Sequence, residues 1–243
     1  MDKPFYLTVQ QQAGLLEQPD IRTPAGLRNH TAILLMLHIG LRISELLSLR
    51  WTDLDLDYGM ASIPPVVSDK PRMLFLTESD RANLRHWEYI QELHSIPEKP
   101  EPVFTTIQGS SLSERYIQQM VTRYAGKAGL SEEISPRILR STFAVFICKL
   151  LHNQIKIARE ALGYHTLSAV KRYLTDSKIF PTDPAEETLY RDIIFPYLNF
   201  AERYRNWNSY VHLSGFRFSR KWLFDLVEDL PDWVLEEDLA KYL

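Results

Sequence analysis

The chain has 243 residues, of which 45% are hydrophobic and 12% aromatic, and its formal net charge is −3. The longest uninterrupted apolar run, residues 32–37, is far shorter than the roughly 20 residues of a membrane helix. Residues 1–4 lack the apolar character of a signal peptide, so we do not expect one. The single cysteine, Cys148, excludes a disulfide framework and a cysteine zinc site, so the composition predicts a cytoplasmic globular protein without a membrane partner.

The histidines lack the spacing of metal ligands, so we expect no metal site. Charge is unevenly distributed along the chain. Residues 176–243 carry 13 acidic against 8 basic side chains, whereas residues 110–175 carry 10 basic against 4 acidic ones. The basic segment predicts where the protein meets an anion.

The N-terminal third reads as three helices. Thr8 is the predicted N-cap of a short helix that ends near residue 17, and Thr23 followed by a proline begins a buried helix that stops at Gly40. A third short helix lies within residues 41–55, where Arg42 and Glu45 are i, i+3 partners.

A β-type stretch follows. Residues 61–67 and 72–76 are predicted to form a hairpin, with Lys70 at or beside its tip. Residues 78–93 read as a helix, residues 103–104 as a short strand end, and residues 113–126 as a helix that Ser113 caps.

Residues 135–151 read as a helix in which Arg137 and Arg140 share one face by their i, i+3 spacing. Two guanidiniums at a helix start suit phosphate oxygens, although a solvated face with a surface ion pair is the plainer interpretation. Residues 153–162 form a further helix stopped by Gly163, and residues 166–174 make a last short helix that carries Tyr173.

These segments together resemble a known family. The Gly-Leu-Arg-Ile-Ser-Glu-Leu run of residues 40–46, the hairpin lysine, Leu139-Arg140 before residues 142–144, Leu162-Gly163 and a tyrosine ten residues beyond that glycine are similar to the tyrosine recombinases, or phage-type integrases. The resemblance covers residues 6–175. It implies an α+β, mainly α-helical catalytic domain with a small β-hairpin or sheet, over residues 1–176.

The resemblance also implies a chemistry. Arg42 and Arg140 would clamp the non-bridging oxygens of a phosphate in double-stranded DNA, Lys70 would protonate the departing 5′ oxygen, and Tyr173 would attack to form a 3′-phosphotyrosyl link. Phosphoryl transfer of this kind relies on positioning and on cationic stabilisation, which these residue types supply. The tyrosyl ester retains the energy of the broken bond, so neither a nucleotide cofactor nor a small-molecule substrate is expected.

Three positions depart from the family pattern. Arg137 stands where a histidine is usual, Tyr164 where histidine or tryptophan is usual, and Ser141 where a second histidine is usual. Arg137 keeps a positive charge but cannot exchange a proton near neutral pH. Tyr164 could donate a hydrogen bond to the phosphate, and the adjacent His165 is a supporting candidate, as is Glu45 beside Arg42.

Further basic side chains in the 110–175 segment are candidate DNA contacts. They are Arg115, Arg123, Lys127, Lys171 and Arg172. Because five residues precede the first helix of the resemblance, we expect DNA to be held from one side. Residues 177–243 are aromatic-rich and acidic and are predicted to form a helical C-terminal extension that makes a homo-oligomer on DNA; their acidity argues against a platform for single-stranded DNA.

Three functions are compatible with the sequence. The first is a site-specific recombinase or integrase of a mobile genetic element. The second is a degenerate relative that binds DNA or a partner recombinase without cutting, as an accessory or regulatory protein. The third is a protein-interaction module. The presence of Arg42, Arg140 and Tyr173 favours the first.

Overall fold

The structure, a computed structural model, describes residues 6–64, 72–94, 101–131, 133–150 and 155–173. Lys70 and residues 177–243, on which the hairpin-lysine and C-terminal predictions depend, lie outside these ranges. The described helices are α1 (Val9–Leu16), α2 (Pro24–His38), α3 (Ile43–Ser48), α4 (Glu78–His94), α5 (Glu114–Lys127), α6 (Pro136–Leu150), α7 (Ile155–Leu162) and α8 (Leu167–Lys171). The strands are β1 (Leu54–Asp55), β2 (Met60–Ile63) and β3 (Arg72–Phe75).

The predicted helix caps are confirmed. The Thr8 hydroxyl accepts a hydrogen bond from the Gln11 backbone N–H at 3.2 Å, and the Gln11 side chain accepts one from the Thr8 N–H at 2.9 Å, which completes a capping box. Thr23 caps α2 through the Gly26 N–H, and Ser113 caps α5 through the Tyr116 N–H. Each cap satisfies a backbone donor that the first helical turn leaves without a partner.

The sheet has three antiparallel strands in the order β1-β2-β3, and its hairpin of β2 and β3 was predicted. Strand β1 was not predicted, because residues 41–55 were interpreted as one helix. In the structure that helix, α3, ends at Ser48. The strand predicted at residues 103–104 is wrong. Only isolated bridges flank these residues. The Val103 N–H donates to the Leu49 carbonyl at 2.9 Å, and the Val103 carbonyl accepts from the Trp87 indole N–H at 2.6 Å.

Helix α2 is the centre of the core and packs against α4 and α6. Residues 32–37 are all buried in it. After α2 the chain turns at Gly40, whose φ is +62°, and a Cβ there would lie 2.2 Å from Cδ1 of Phe143 on α6. Only glycine permits this close approach, which brings the start of α3 against α6.

The last described helices complete the domain around α6. Gly163, with φ +62°, ends α7 as predicted, and α8 follows with Thr166 at its N-cap. Cys148 is buried in α6, and this burial raises the pKa of its thiol to about 12. Among the described helices, none combines the length and the apolar character needed to cross a membrane.

Candidate functional site

The centre of the site is the carboxylate of Glu45, in the first turn of α3, which is only 1% exposed. Arg72 of β3 donates to both oxygens, from Nη1 to Oε1 at 2.5 Å and from Nη2 to Oε2 at 2.8 Å. Arg42 donates to Oε1 from Nη1 and to Oε2 from its backbone N–H, both at 2.7 Å. The carboxylate is therefore fixed by charge-assisted bonds from two directions.

Burial by itself would raise the pKa of Glu45 above its ordinary value of 4.5. The hydrogen bonds and charge of Arg72, the Arg42 N–H and the charge of Arg140 outweigh that effect, and they lower the pKa of the Glu45 carboxyl to about 2. Glu45 is thus a permanent anion that orients the arginines around it.

Arg42 lies at the N-cap of α3 and is held at both ends of its guanidinium. Besides its bonds to Glu45, its Nη2 donates to the Gly163 carbonyl at 3.3 Å. Its side chain is 21% exposed, whereas those of Arg72 and Arg140 are 5% and 9% exposed. Arg42 is therefore the arginine of the cluster that solvent, or a ligand, reaches most readily.

Arg140 of α6 lies on the inner side of the cluster. Its Nη1 donates to the Gly40 carbonyl and its Nη2 to the Leu162 carbonyl, so it connects the ends of α2 and α7. Nη1 is also 3.8 Å from Oε2 of Glu45. Burial, followed by repulsion from Arg42 and Arg72, lowers the pKa of Arg140 to about 10. Three guanidiniums here face one carboxylate, so the cluster has an excess of positive charge.

Tyr164 joins the arginines to Tyr173. The guanidinium carbons of Arg140 and Arg42 lie 5.3 and 5.7 Å from the centroid of the Tyr164 ring. The Tyr164 hydroxyl oxygen is 3.2 Å from that of Tyr173, and the two rings are stacked at 6.4 Å with an interplanar angle of 23°. Arg42, Arg140, Tyr164 and Tyr173 are thereby brought together, although they come from four separate segments.

The two hydroxyls are electrostatically different. Burial raises the pKa of Tyr173, and the hydrogen bond with Tyr164 raises it further, against an opposing hydrogen bond from Ser141. Burial acts to raise the pKa of Tyr164 as well, but its hydrogen bond with Tyr173 and the charges of Arg140 and Arg42 prevail and lower it. Tyr164 is therefore the more acidic member of the pair.

The remaining predicted residues that the structure describes lie at the surface. Arg137 is exposed on α6, so it and Arg140 have different environments, and only Arg140 is bonded into the cluster. His165 is exposed beside Tyr164. The candidate DNA contacts are also exposed, on α5 and at the end of α8: Arg115, Arg123, Lys127, Lys171 and Arg172.

Sequence reasoning missed Arg72, the residue that binds Glu45 most closely. It singled out Lys70 in the adjoining turn instead. The available signal was the strand pattern of residues 72–75, in which a lone arginine shares an otherwise apolar run. An arginine in a fully buried strand requires an acidic partner, which the sheet brings close from α3.

Comparison with known proteins gives a consistent result. The sequence model of the Phage integrase family matches residues 6–178. The tyrosine recombinase XerC of Proteus mirabilis is 32% identical over 154 residues, covering 63% of this chain and 49% of that protein. The tyrosine recombinase XerD of Xanthomonas axonopodis pv. citri (strain 306) is 32% identical over 183 residues, covering 70% of this chain and 58% of that protein.

Solved structures agree with the fold. The XerA recombinase superposes with a TM-score of 0.62 at 20% identity, over 78% of this chain and 65% of that one. The XerH site-specific recombinase bound to palindromic difH substrate, a post-cleavage complex, gives a TM-score of 0.61 at 28% identity. The match covers 71% of this chain and 50% of the XerH chain. The predicted fold class is confirmed. The chain spans about half the length of the curated relatives it matches.

Proposed function

The chain belongs to the phage integrase family of tyrosine recombinases, and on that premise we propose that it is a site-specific DNA strand transferase. The Tyr173 hydroxyl oxygen attacks a backbone phosphorus, the bond from phosphorus to the 5′ oxygen breaks, and the 3′ phosphate remains attached to Tyr173. Attack by a 5′ hydroxyl on this link rejoins the strands, so the reaction consumes no cofactor.

The observation that carries this proposal is the excess positive charge beside the tyrosine. Arg42, Arg72 and Arg140 surround Glu45, and Tyr164 connects two of them to the Tyr173 hydroxyl at 3.2 Å. Burial, followed by repulsion from Arg42 and Arg72, lowers the pKa of Arg140, and a phosphodiester bound there would relieve the repulsion. Its negative charge grows on the non-bridging oxygens in the transition state, which fixed guanidiniums stabilise.

The arginines are fixed in a way that suits this task. A guanidinium has five N–H donors, and the bonds of Arg140 to the Gly40 and Leu162 carbonyls set its plane while other donors remain for a ligand. Arg42 is anchored by Glu45 and the Gly163 carbonyl but is partly accessible. We assign both to the non-bridging oxygens and Lys70 to protonation of the 5′ oxygen, while Tyr164, whose hydroxyl oxygen is 3.2 Å from that of Tyr173, is assigned to the attacking side.

The DNA partner is double-stranded. The exposed cations Arg115, Arg123 and Lys127 of α5, with Lys171, Arg172 and Arg137, provide contacts to phosphates on either side of the cut. XerH is bound to a palindromic DNA site, and a palindrome suits a symmetric pair of protomers. We propose the same for this chain, with residues 177–243 making the contact between protomers, in the cytoplasm.

A second candidate function rests on the replacements at residues 137, 141 and 164, none of which is histidine. A chain that has lost proton-exchanging groups would bind DNA, or a partner recombinase, without cutting. Adduct formation distinguishes the two functions. The probe is a pool of nicked duplexes with randomised sequence around the nick, from which the cleaved short strand diffuses away.

Under the proposed function, the wild-type chain forms a protein–DNA adduct that resists denaturant, and Tyr173→Phe forms none while binding the same duplex pool. Tyr173→Phe removes only the hydroxyl and keeps the ring, so it serves as a control for the loss of the nucleophile without a change in packing. Binding without any adduct, in the wild type as in the variant, would establish the accessory function instead.

A further inference from the structure

The attack by Tyr173 releases a proton, and the site offers few groups that can take it. Arg137 and His165 are exposed, and the arginines of the cluster are donors only. Among the described residues, the Tyr164 hydroxyl oxygen lies 3.2 Å from that of Tyr173, and Ser141 acts on the same hydroxyl by opposing the rise in its pKa. A phenol is far more acidic than a serine hydroxyl, and nearby cations favour its ionised form.

Resting on the proposed function, we propose that Tyr164 is the general base of the reaction, accepting the proton that the Tyr173 hydroxyl loses as it attacks. The 3.2 Å separation of the two oxygens is within hydrogen-bond reach, which is the first requirement for a proton acceptor. The stacked rings hold the two hydroxyls side by side. Tyr164 is thus a catalytic residue that contacts the attacking atom itself.

The surroundings of Tyr164 favour its ionised form. The guanidiniums of Arg42, at the start of α3, and Arg140, on α6, both lie within 6 Å of its ring centroid, at 5.7 and 5.3 Å. Arg72 on β3 adds a third cation, and Glu45 neutralises one of the three. The net positive field stabilises a phenolate at Tyr164.

The direction of the two pKa shifts agrees with this geometry. The pKa of Tyr164 is lowered by its hydrogen bond with Tyr173 and by the nearby arginine charges, although burial acts in the opposite direction, while that of Tyr173 is raised by burial and by the bond with Tyr164. The contacts of the Tyr164 ring with Arg42 and Arg140 are the geometric reason to place the proton acceptor at Tyr164.

The step balances without another reactant. The Tyr164 phenolate takes the proton of Tyr173, the Tyr173 oxygen forms the bond to phosphorus, and the 5′ oxygen leaves with its electron pair and takes a proton from Lys70. In rejoining, Tyr164 returns the proton to the departing Tyr173 oxygen. Because the attacking and leaving oxygens lie in line on opposite sides of phosphorus, Tyr164 serves the attacking side only.

The test is the rate of adduct formation by Tyr164→Phe on the nicked duplex pool, compared with Tyr89→Phe, which removes a hydroxyl from an exposed position on α4. Loss of a general base lowers the rate about 10²–10⁴-fold. The wild-type rate rises with pH as the pair loses a proton, and in Tyr164→Phe this rise moves to higher pH. Tyr164→His, which supplies another base, restores activity and moves the rise to lower pH.

A second substrate distinguishes whether Tyr164 acts as a general base or as a general acid. When sulfur replaces the 5′ bridging oxygen, the leaving group needs no protonation, so loss of an acid is corrected and loss of a base is not. We expect the Tyr164→Phe deficit to persist on this substrate. If the Tyr164→Phe deficit disappears on this substrate, Tyr164 is the acid and not the base. If Tyr164→Phe has the wild-type rate at every pH, Tyr164 takes no part in proton transfer. Either result overturns the inference while leaving the proposed function intact. A wild type that forms no adduct overturns both.

Discussion

Arg72 and Glu45 form a buried bidentate ion pair, with N–O distances of 2.5 and 2.8 Å, between strand β3 and helix α3. The pair fixes the same carboxylate that holds Arg42. The orientation of an arginine assigned to the DNA phosphate therefore depends on a side chain of the sheet that is itself 5% exposed.

Replacing Arg72 with methionine should destabilise the fold strongly, because it leaves the Glu45 carboxylate buried with less compensation. Breaking one side of a buried pair typically costs about 3–5 kcal/mol. Arg50→Met is the matched control, since the Arg50–Glu101 pair is more than half exposed on both sides, and such surface pairs contribute about 1 kcal/mol or less. Urea unfolding measures both. Equal losses in the two variants would contradict a central role for the pair.

Acid should weaken the domain through Glu45. Its folded pKa of about 2 lies below the ordinary value of 4.5, so its contribution is fully present above pH 4.5 and is lost as the pH falls towards 2. The free energy of unfolding should fall over this window by roughly 3 kcal/mol more in wild type than in Glu45→Gln. Urea unfolding at a series of pH values gives the two slopes, and parallel slopes would refute the shift.

The local elements were the predictable part of the fold. The helix starts at Thr8, Thr23 and Ser113 could be predicted, because a helix cap depends only on residues within one turn of it. Arg42 and Glu45 could be paired for the same reason. Arg72 could not be paired with Glu45 from sequence, because their contact spans 27 residues and exists only once the hairpin packs beside α3. The strand expected at residues 103–104 failed for a related reason, since the Val103 N–H donates to the distant Leu49 carbonyl while the Val103 carbonyl accepts from the Trp87 indole.

Gly163 should be more sensitive to substitution than Gly129, although both have positive φ, +62° and +69°. A Cβ at Gly163 would lie 3.1 Å from Nη1 of Arg72 and 3.6 Å from Nη1 of Arg42, whereas nothing lies within 4 Å of one at Gly129. Gly129→Ala should therefore lose only the backbone preference, about 1–2 kcal/mol. Gly163→Ala should lose at least as much stability and, in addition, most of its adduct-forming rate.

That comparison uses thermal unfolding for stability and the nicked duplex pool for rate. An equal adduct rate in the two alanine variants would mean that Gly163 does not position the arginines.

DNA binding should depend on salt through the exposed cations of α5. Arg123→Gln should weaken binding to every duplex sequence alike and reduce the salt slope by about 0.9, the value for one phosphate contact. Arg85→Gln removes the same charge from α4, outside the basic segment, and should leave the slope unchanged. Fluorescence anisotropy titrations over a range of salt concentrations measure the slopes. Identical slopes in both variants would exclude α5 from the interface.

The identity of the nucleophile is the central claim, and the proximity of two tyrosines makes its test strict. Proteolysis of the trapped adduct, removal of most of the DNA and mass spectrometry of the nucleotide-bearing peptide locate the bond directly. The expected result is a phosphotyrosyl link at Tyr173, absent from Tyr173→Phe. A link at Tyr164, 3.2 Å away across the hydroxyl pair, or an adduct that survives in Tyr173→Phe, would contradict it.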